Sequence, residues 1–370
     1  MDRRAAGERS VKMTSDEKNL IVFPYWNDNP YQNMLYLATR AAGWTLKTTN
    51  DFDAAIGLLR VAQPGDVFHL HWTAPIVQRA TTREDAEARL TGFVAAVDSA
   101  LSRGVQLIWT IHNKLPHEVQ FHEEELRLIE FLLDRASAIH TISPGTEIAV
   151  SDEYIVPPGK VMNVPHASYN GVYDQSMSRA EARARWELDE DDKAILFFGQ
   201  MRPYKGLGGL LNAVQRASDL GDRRVVLMLA GKTSDDELPG IEALLPRGVR
   251  TIRQHSYVSD VELPVWFTAA DLAVFPYDRV LNSSSVHLAA TFGLPTALPD
   301  HPHVVEEFGH QRWVQLFRRD DRGESLAQLI LNFDDRSMEL RTAAHVFADS
   351  YTPYDMARRF LASLTRVVSG

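Results

Sequence analysis

The chain has 370 residues, enough for two domains with separate cores, and its 45% apolar and 24% charged content is ordinary for a globular protein. A formal net charge of -10 argues against a nucleic-acid-binding surface, which carries a basic excess. With no cysteine, disulfides, thiol catalysis and cysteine-ligated zinc are excluded, and the 13 histidines show no metal-ligand spacing, so no metal is expected.

Residues 1–18 are charged and polar, without the apolar centre of a signal peptide, and read as a flexible tail. No apolar run is long enough to span a bilayer, which points to a cytoplasmic protein and leaves room for peripheral contact at the inner membrane face. Short apolar runs then alternate with amphipathic stretches. Strands are expected at 19–24, 66–71, 105–112 and 138–142, with helices at 31–42, 83–103 and 121–135. A polar break with Asn170-Gly171 falls at 169–178. The alternation restarts with strands at 194–198, 225–230, 249–252 and 272–275 and helices at 206–220, 260–269 and 285–292. Further helices are expected at 337–350 and 353–368. Continuous apolar strands between amphipathic helices indicate parallel sheets covered on both faces, here as two doubly wound Rossmann-like lobes facing a cleft. The expected boundaries are 19–180, 181–350 and a last helix, 351–370, that crosses back to the first lobe.

In the amino-terminal lobe the segment after the first strand is unusually polar and aromatic. Its Asn27, Asp28, Asn29 and Tyr31 suit hydrogen bonding and stacking against a polar ligand, and equally a capping loop. Four histidines, His71, His112, His140 and His166, fall at or near strand ends, where doubly wound sheets present their chemistry. Each can donate to a phosphate, orient a hydroxyl or act as a base, and each can equally be a satisfied core residue. His69 and His71 share one strand face by alternation. Trp72 suits a stacking platform or the end of the core, and His117-Glu118 follows in the loop after His112.

In the carboxy-terminal lobe, Gly199 and Gln200 end a buried strand, and Arg202 and Lys205 follow with Pro203 stiffening the turn. Lys205-Gly206 opens a helix whose amino end is electropositive, a setting that suits a diphosphate. Gly231, after the next strand, permits close backbone approach, although a plain strand end fits it as well. Asn282, Ser283, Ser284 and Ser285 stand at the start of the helix running to Phe292. At least one of these serines is expected to cap it, and at least one to meet a ligand.

The turn from Gly199 to Gly206, the segment from Asp271 to Tyr277 and Gly293-Leu294-Pro295 resemble the nucleotide-binding half of GT-B glycosyltransferases related to family GT4. The likeness covers residues 194–299 well and the amino half more loosely. It implies a nucleoside diphosphate sugar as donor, bound by Arg202 and Lys205, with a glycan, glycolipid or small-metabolite acceptor and no cofactor or metal. It also implies that His112 faces the donor and that His166 lies at the lobe junction. The family's Glu-x7-Glu pair is replaced here by Val280 and Leu288, which leaves the stereochemistry open. An inverting reaction needs a base, for which Asp28, His71, His117 and Glu118 are candidates. A sugar-nucleotide epimerase, a pseudo-glycosyltransferase and a non-catalytic nucleotide-sugar binder share the same pattern.

Overall fold

The structure, a computed structural model, describes residues 18–202, 205–278 and 281–369. The expected tail up to residue 17, Pro203 and Val280 lie outside the described residues. The first sheet is built from β1 (Asn19–Phe23), β2 (Thr45–Thr48), β3 (Val67–Leu70), β4 (Gln106–Ile111), β5 (Ala138–Thr141) and β6 (Val161–Asn163). The second holds β7 (Lys193–Phe198), β8 (Val225–Ala230), β9 (Arg250–Gln254), β10 (Leu272–Val274), β11 (Thr296–Pro299) and β12 (Val314–Phe317). All pairings within the two sheets are parallel, in the orders β2-β1-β3-β4-β5-β6 and β12-β11-β10-β7-β8-β9.

Parallel strands need crossover connections, so helices cover both faces and the strands bury both sides. β1 shows this residue by residue. Leu20 and Val22 enter one apolar cluster while Ile21 and Phe23, on the opposite face, enter another. The first cluster continues through the second lobe, where Leu196, Phe197 and Phe275 are fully buried. The last helix, Pro353–Ser369, packs against the helices Pro30–Leu35 and Leu37–Ala41 of the first lobe. Its Phe360 is fully buried there against Tyr36.

Two expected helices differ in outline. The helix expected over 31–42 is split at Tyr36, and the one expected from residue 260 starts at Leu263. Pro264 explains the later start, since proline is accommodated in a first turn and resisted further in. Four strands went unread in the sequence: β2, β6, β11 and β12. β2 and β12 are sheet edges with half-exposed sides, β6 has three residues, and β11 ends on a proline.

Candidate active site

In an open parallel sheet, ligands bind outside the carboxyl ends of the strands where the strand order reverses. In the first sheet that point lies between β1 and β3, so the loops carrying Asp28 and Trp72 stand side by side. In the second it lies between β7 and β10, whose following loops carry Gly199–Lys205 and Phe275–Tyr277. The two points open onto one cleft of about 630 Å³ lined from both lobes. Asp28, Asn29, Tyr31, Trp72, His112 and His166 line it from one side, and Gln200, Asn282, Ser284 and Ser285 from the other.

The turn after β7 depends on a close backbone approach. Gly206 has φ +65°, and a Cβ there would lie 1.8 Å from the Pro276 carbonyl oxygen. Only glycine lets the two loops of the switch point meet this closely. The Lys205 ammonium lies 4.2 Å from the centre of the Tyr277 ring. Lys205 Nζ and Ser285 Oγ come within 4.0 and 3.9 Å of the place a Gly199 side chain would start, so a cation and a hydroxyl converge on bare backbone. Arg202 meets Glu118 of the other lobe at 2.7 Å.

Two more donor-side candidates, Gly231 and Ser283, are placed by their neighbours. Gly231 faces backbone, because its Cβ position lies 2.0 Å from the Gly199 carbonyl oxygen, and its glycine is explained by strand packing. Ser283 occupies the N-cap of the helix Ser284–Thr291 without a side-chain capping bond, its Oγ instead lying 3.5 Å from the Tyr277 hydroxyl. Asn282 reaches across the cleft, donating from Nδ2 to the His112 carbonyl at 2.8 Å. Ser143 makes a second bridge to Glu307 at 2.6 Å, and burial raises the Glu307 carboxyl to about 7.

The first-lobe candidates separate by access. Asn27 is exposed and its carbonyl accepts from Asn33, while Asn29 caps the helix Pro30–Leu35 and also lines the cleft. Trp72 stacks on His112 with ring centres 3.9 Å apart, and Trp26 abuts its edge. His71 is 1% exposed and both its ring nitrogens are engaged, Nε2 with the Tyr36 hydroxyl at 2.6 Å and Nδ1 with His112 Nε2 at 2.8 Å. It has no free nitrogen for an acceptor proton, so it is removed as a base. His140 lies deeper still. His117 and Glu118 stand beside Arg202 and Lys205; partial burial, then those two cations, lower the His117 pKa.

His166 stacks between Tyr31 and His287, linking the lobes. Its Nδ1 donates to the Ala167 carbonyl at 2.7 Å, leaving a buried Nε2 without a hydrogen-bond partner. Burial lowers both His140 and His166 to about 4. Burial, then neighbouring histidines, holds His71 and His112 well below the ordinary range. Tyr169, Tyr173, Tyr257 and Asp260 also line the cleft and were not singled out in the sequence. Two of these tyrosines sat in the polar break between the lobes, where aromatic residues in a connecting segment were the available signal.

Residues 192–333 match the family described as Glycosyl transferases group 1. The GDP-mannose:glycolipid 4-beta-D-mannosyltransferase of Xanthomonas campestris pv. campestris is 26% identical over 321 residues, 85% of this chain and 81% of that protein. Sucrose-phosphate synthase from Thermosynechococcus elongatus superposes with a TM-score of 0.68 at 15% identity, over 95% of this chain and 98% of that one. Anabaena HepE, solved in complex with UDP, superposes at 0.67 with 13% identity over 94% and 100%. The chain is a nucleotide-sugar-dependent glycosyltransferase of GT-B fold. Its second lobe carries the Glycosyl transferases group 1 domain.

Proposed function

We propose that the enzyme transfers a sugar from a nucleoside diphosphate donor to a hydroxyl of a saccharide or glycolipid acceptor, with inversion and without a metal. The observation that carries the reading is the convergence of Lys205 and Ser285 on the bare backbone of Gly199 at the second lobe's switch point. A diphosphate there would meet the ammonium, the hydroxyl and, once released from Glu118, the forked Arg202 guanidinium. These groups offset the charge that develops on the leaving diphosphate. The 85% coverage by the mannosyltransferase supports a glycolipid acceptor and makes GDP-mannose the first donor to try.

Asp28 is the proposed base. It lines the cleft from the first lobe, whereas His71 is engaged at both nitrogens and Glu118 is not among the residues lining that cleft. The acceptor oxygen attacks the anomeric carbon as Asp28 takes its proton, and the bond from that carbon to the diphosphate breaks. Leu288 stands in the cleft where the family places a glutamate, so the donor side lacks the carboxylate there.

Thermal shift with GDP, UDP and ADP tests the donor site, because a ligand bound to the native state raises Tm by mass action. One nucleotide is expected to raise Tm in the wild type and much less in Arg202→Ala and Lys205→Ala. Responses equal to wild type in both variants would overturn the assignment. Asp28→Asn is expected to lower kcat by about 10²–10⁴ with donor binding retained, and EDTA to leave turnover unchanged. Loss of turnover in EDTA, restored by a divalent cation, would overturn the metal-free reading.

A further inference from the structure

A single line of hydrogen bonds runs from the cleft floor into the core. His112 Nε2 meets His71 Nδ1 at 2.8 Å, and His71 Nε2 meets the Tyr36 hydroxyl at 2.6 Å. That hydroxyl meets His69 Nδ1 at 2.7 Å, and His69 Nε2 meets Thr110 Oγ1 at 2.7 Å. Thr110 Oγ1 then meets His140 Nδ1 at 2.9 Å, and His140 Nε2 ends on the Val164 carbonyl at 3.1 Å. All six side chains are buried, and none of them hydrogen-bonds a carboxylate. An imidazolium here would be a buried charge without a counterion, so each ring is neutral.

The carbonyl at the inner end sets the direction of the whole line. A carbonyl only accepts, so His140 carries its proton on Nε2 and its Nδ1 is bare. Thr110 must therefore donate its one hydroxyl hydrogen to His140 and accept from His69 Nε2–H. His69 Nδ1 is then bare and takes the Tyr36 hydrogen, so Tyr36 accepts from His71 Nε2–H. His71 Nδ1 is bare in turn and accepts from His112 Nε2–H. The tautomer of His112 is thus set through five residues: its proton points inward, and Nδ1 keeps its lone pair. Nδ1 has no partner among the described residues, on a ring that lines the cleft.

We infer that Tyr36, His71, His69, Thr110 and His140 are positioning residues that make His112 an acceptor-only group, one that selects a hydroxyl of the bound sugar or acceptor. This rests on the cleft being the transfer site. A neutral ring with a bare nitrogen attracts an O–H donor and repels a phosphate oxygen, which separates the sugar end of the cleft from the diphosphate end at Lys205. His166, whose Nδ1 donates to a carbonyl, presents the same kind of bare nitrogen from the lobe junction. Phe360 of the last helix stacks on His69 at 5.2 Å, nearly parallel, and packs an edge on Tyr36. It closes the inner part of the line from water, which would otherwise supply either a donor or an acceptor and erase the direction.

The test is long-range proton–nitrogen correlation on full-length protein with ¹⁵N-labelled histidine. His69, His71, His112 and His140 are all expected as Nε2–H tautomers with bare Nδ1. His112 found with a proton on Nδ1 would overturn the inference. Tyr36→Phe removes the acceptor of the His71 proton, so His112 is expected to populate Nδ1–H and kcat/KM to fall about tenfold or more, with nucleoside diphosphate affinity unchanged. It should also discriminate less between the preferred donor sugar and its deoxy analogues. An unchanged His112 tautomer together with wild-type kcat/KM would overturn it. Should this variant not fold, Thr110→Val against Thr110→Ser makes the same comparison, and identical tautomers and rates in the two would overturn it. Failure of every nucleotide to bind would sink the transfer-site reading and leave the tautomers standing, so the two failures are distinct.

Discussion

At the scale of single residues, the pair between Arg202 and Glu118 shows how the donor site behaves before a donor arrives. Both side chains are substantially exposed, at 42% and 79%. Exposed ion pairs contribute about 0.2–1 kcal/mol, so this one holds Arg202 only weakly. A diphosphate brings more charge and more acceptor oxygens, and it competes Glu118 away. The carboxylate therefore acts as a stand-in that the donor must displace. Glu118→Gln is expected to tighten nucleoside diphosphate binding by about two- to fivefold, the factor that corresponds to releasing such a pair. Titration calorimetry measures this directly. Weaker binding in the variant would mean that Glu118 belongs to the donor contacts and does not compete with them.

At the scale of elements, the second switch point is held from below by one buried carboxylate. Asp271, just before β10, accepts at Oδ2 from the Ala194 N–H at 2.8 Å and from Arg183 at 3.2 Å. Arg179 reaches Oδ1, Arg341 lies 3.6 Å from it, and the Asp271 side chain is fully buried. Asp271 thus ties β7 to β10 while gathering three cations from two helices, Arg179–Arg185 and Met338–Ser350. Burial, then the charge of Arg179, lowers Arg341 to about 10. Asp271→Asn keeps the shape and removes the charge, which strands Arg183 and Arg341 in poorly hydrated positions. Breaking a buried pair in this way costs about 3–5 kcal/mol, and urea unfolding followed by fluorescence reads it. A loss below about 1 kcal/mol would show that Asp271 is not what holds the cations in place.

The same elements show what could be read in advance. β1, β3, β4, β7, β8 and β10 are mainly apolar runs, and burial on both faces leaves that mark on any sequence. The edges β2 and β12 contain half-buried positions, with no residue of β2 fully buried, so their pattern merges with that of loops. The Arg202–Lys205 turn was legible because a strand, a glycine and basic residues are contiguous. The placement of Asn282 against the His112 carbonyl was not, since the partners are 170 positions apart. The shared face of His69 and His71 follows from strand alternation, but the tyrosine that joins them comes from a break between helices that local propensity does not mark. Serines at a helix start pointed to capping by chemistry alone. The cleft competes for the same hydroxyls, and Ser284 and Ser285 line it.

At the scale of the whole molecule, the buried histidines couple stability to pH. Burial lowers His69, His71, His112, His140, His166 and His287, with His140 and His166 at about 4. The unfolded chain titrates its histidines near the ordinary value of about 6.5. Between those limits the unfolded state binds protons that the native state refuses, so stability is full above about pH 6.5 and is lost on acidification. Glu307 works in the opposite direction. Its carboxyl is raised to about 7, so its contribution is full below the unfolded value of about 4.3 and lost as pH rises through 7. Burial raises the Glu125 carboxyl as well, so two carboxyls oppose the six rings, and the histidines set the sign. Each withheld proton is worth about 1.4 kcal/mol per pH unit below 6.5, so even a fraction of the six gives a steep slope. Tm is expected to fall markedly from pH 7 to pH 5, with more than one proton taken up per molecule on unfolding near pH 5.5. Calorimetry in buffers of different ionisation enthalpy counts those protons. A flat Tm with no uptake would mean that these rings reach water in the native state, and the line from Val164 to His112 would then have no direction to transmit.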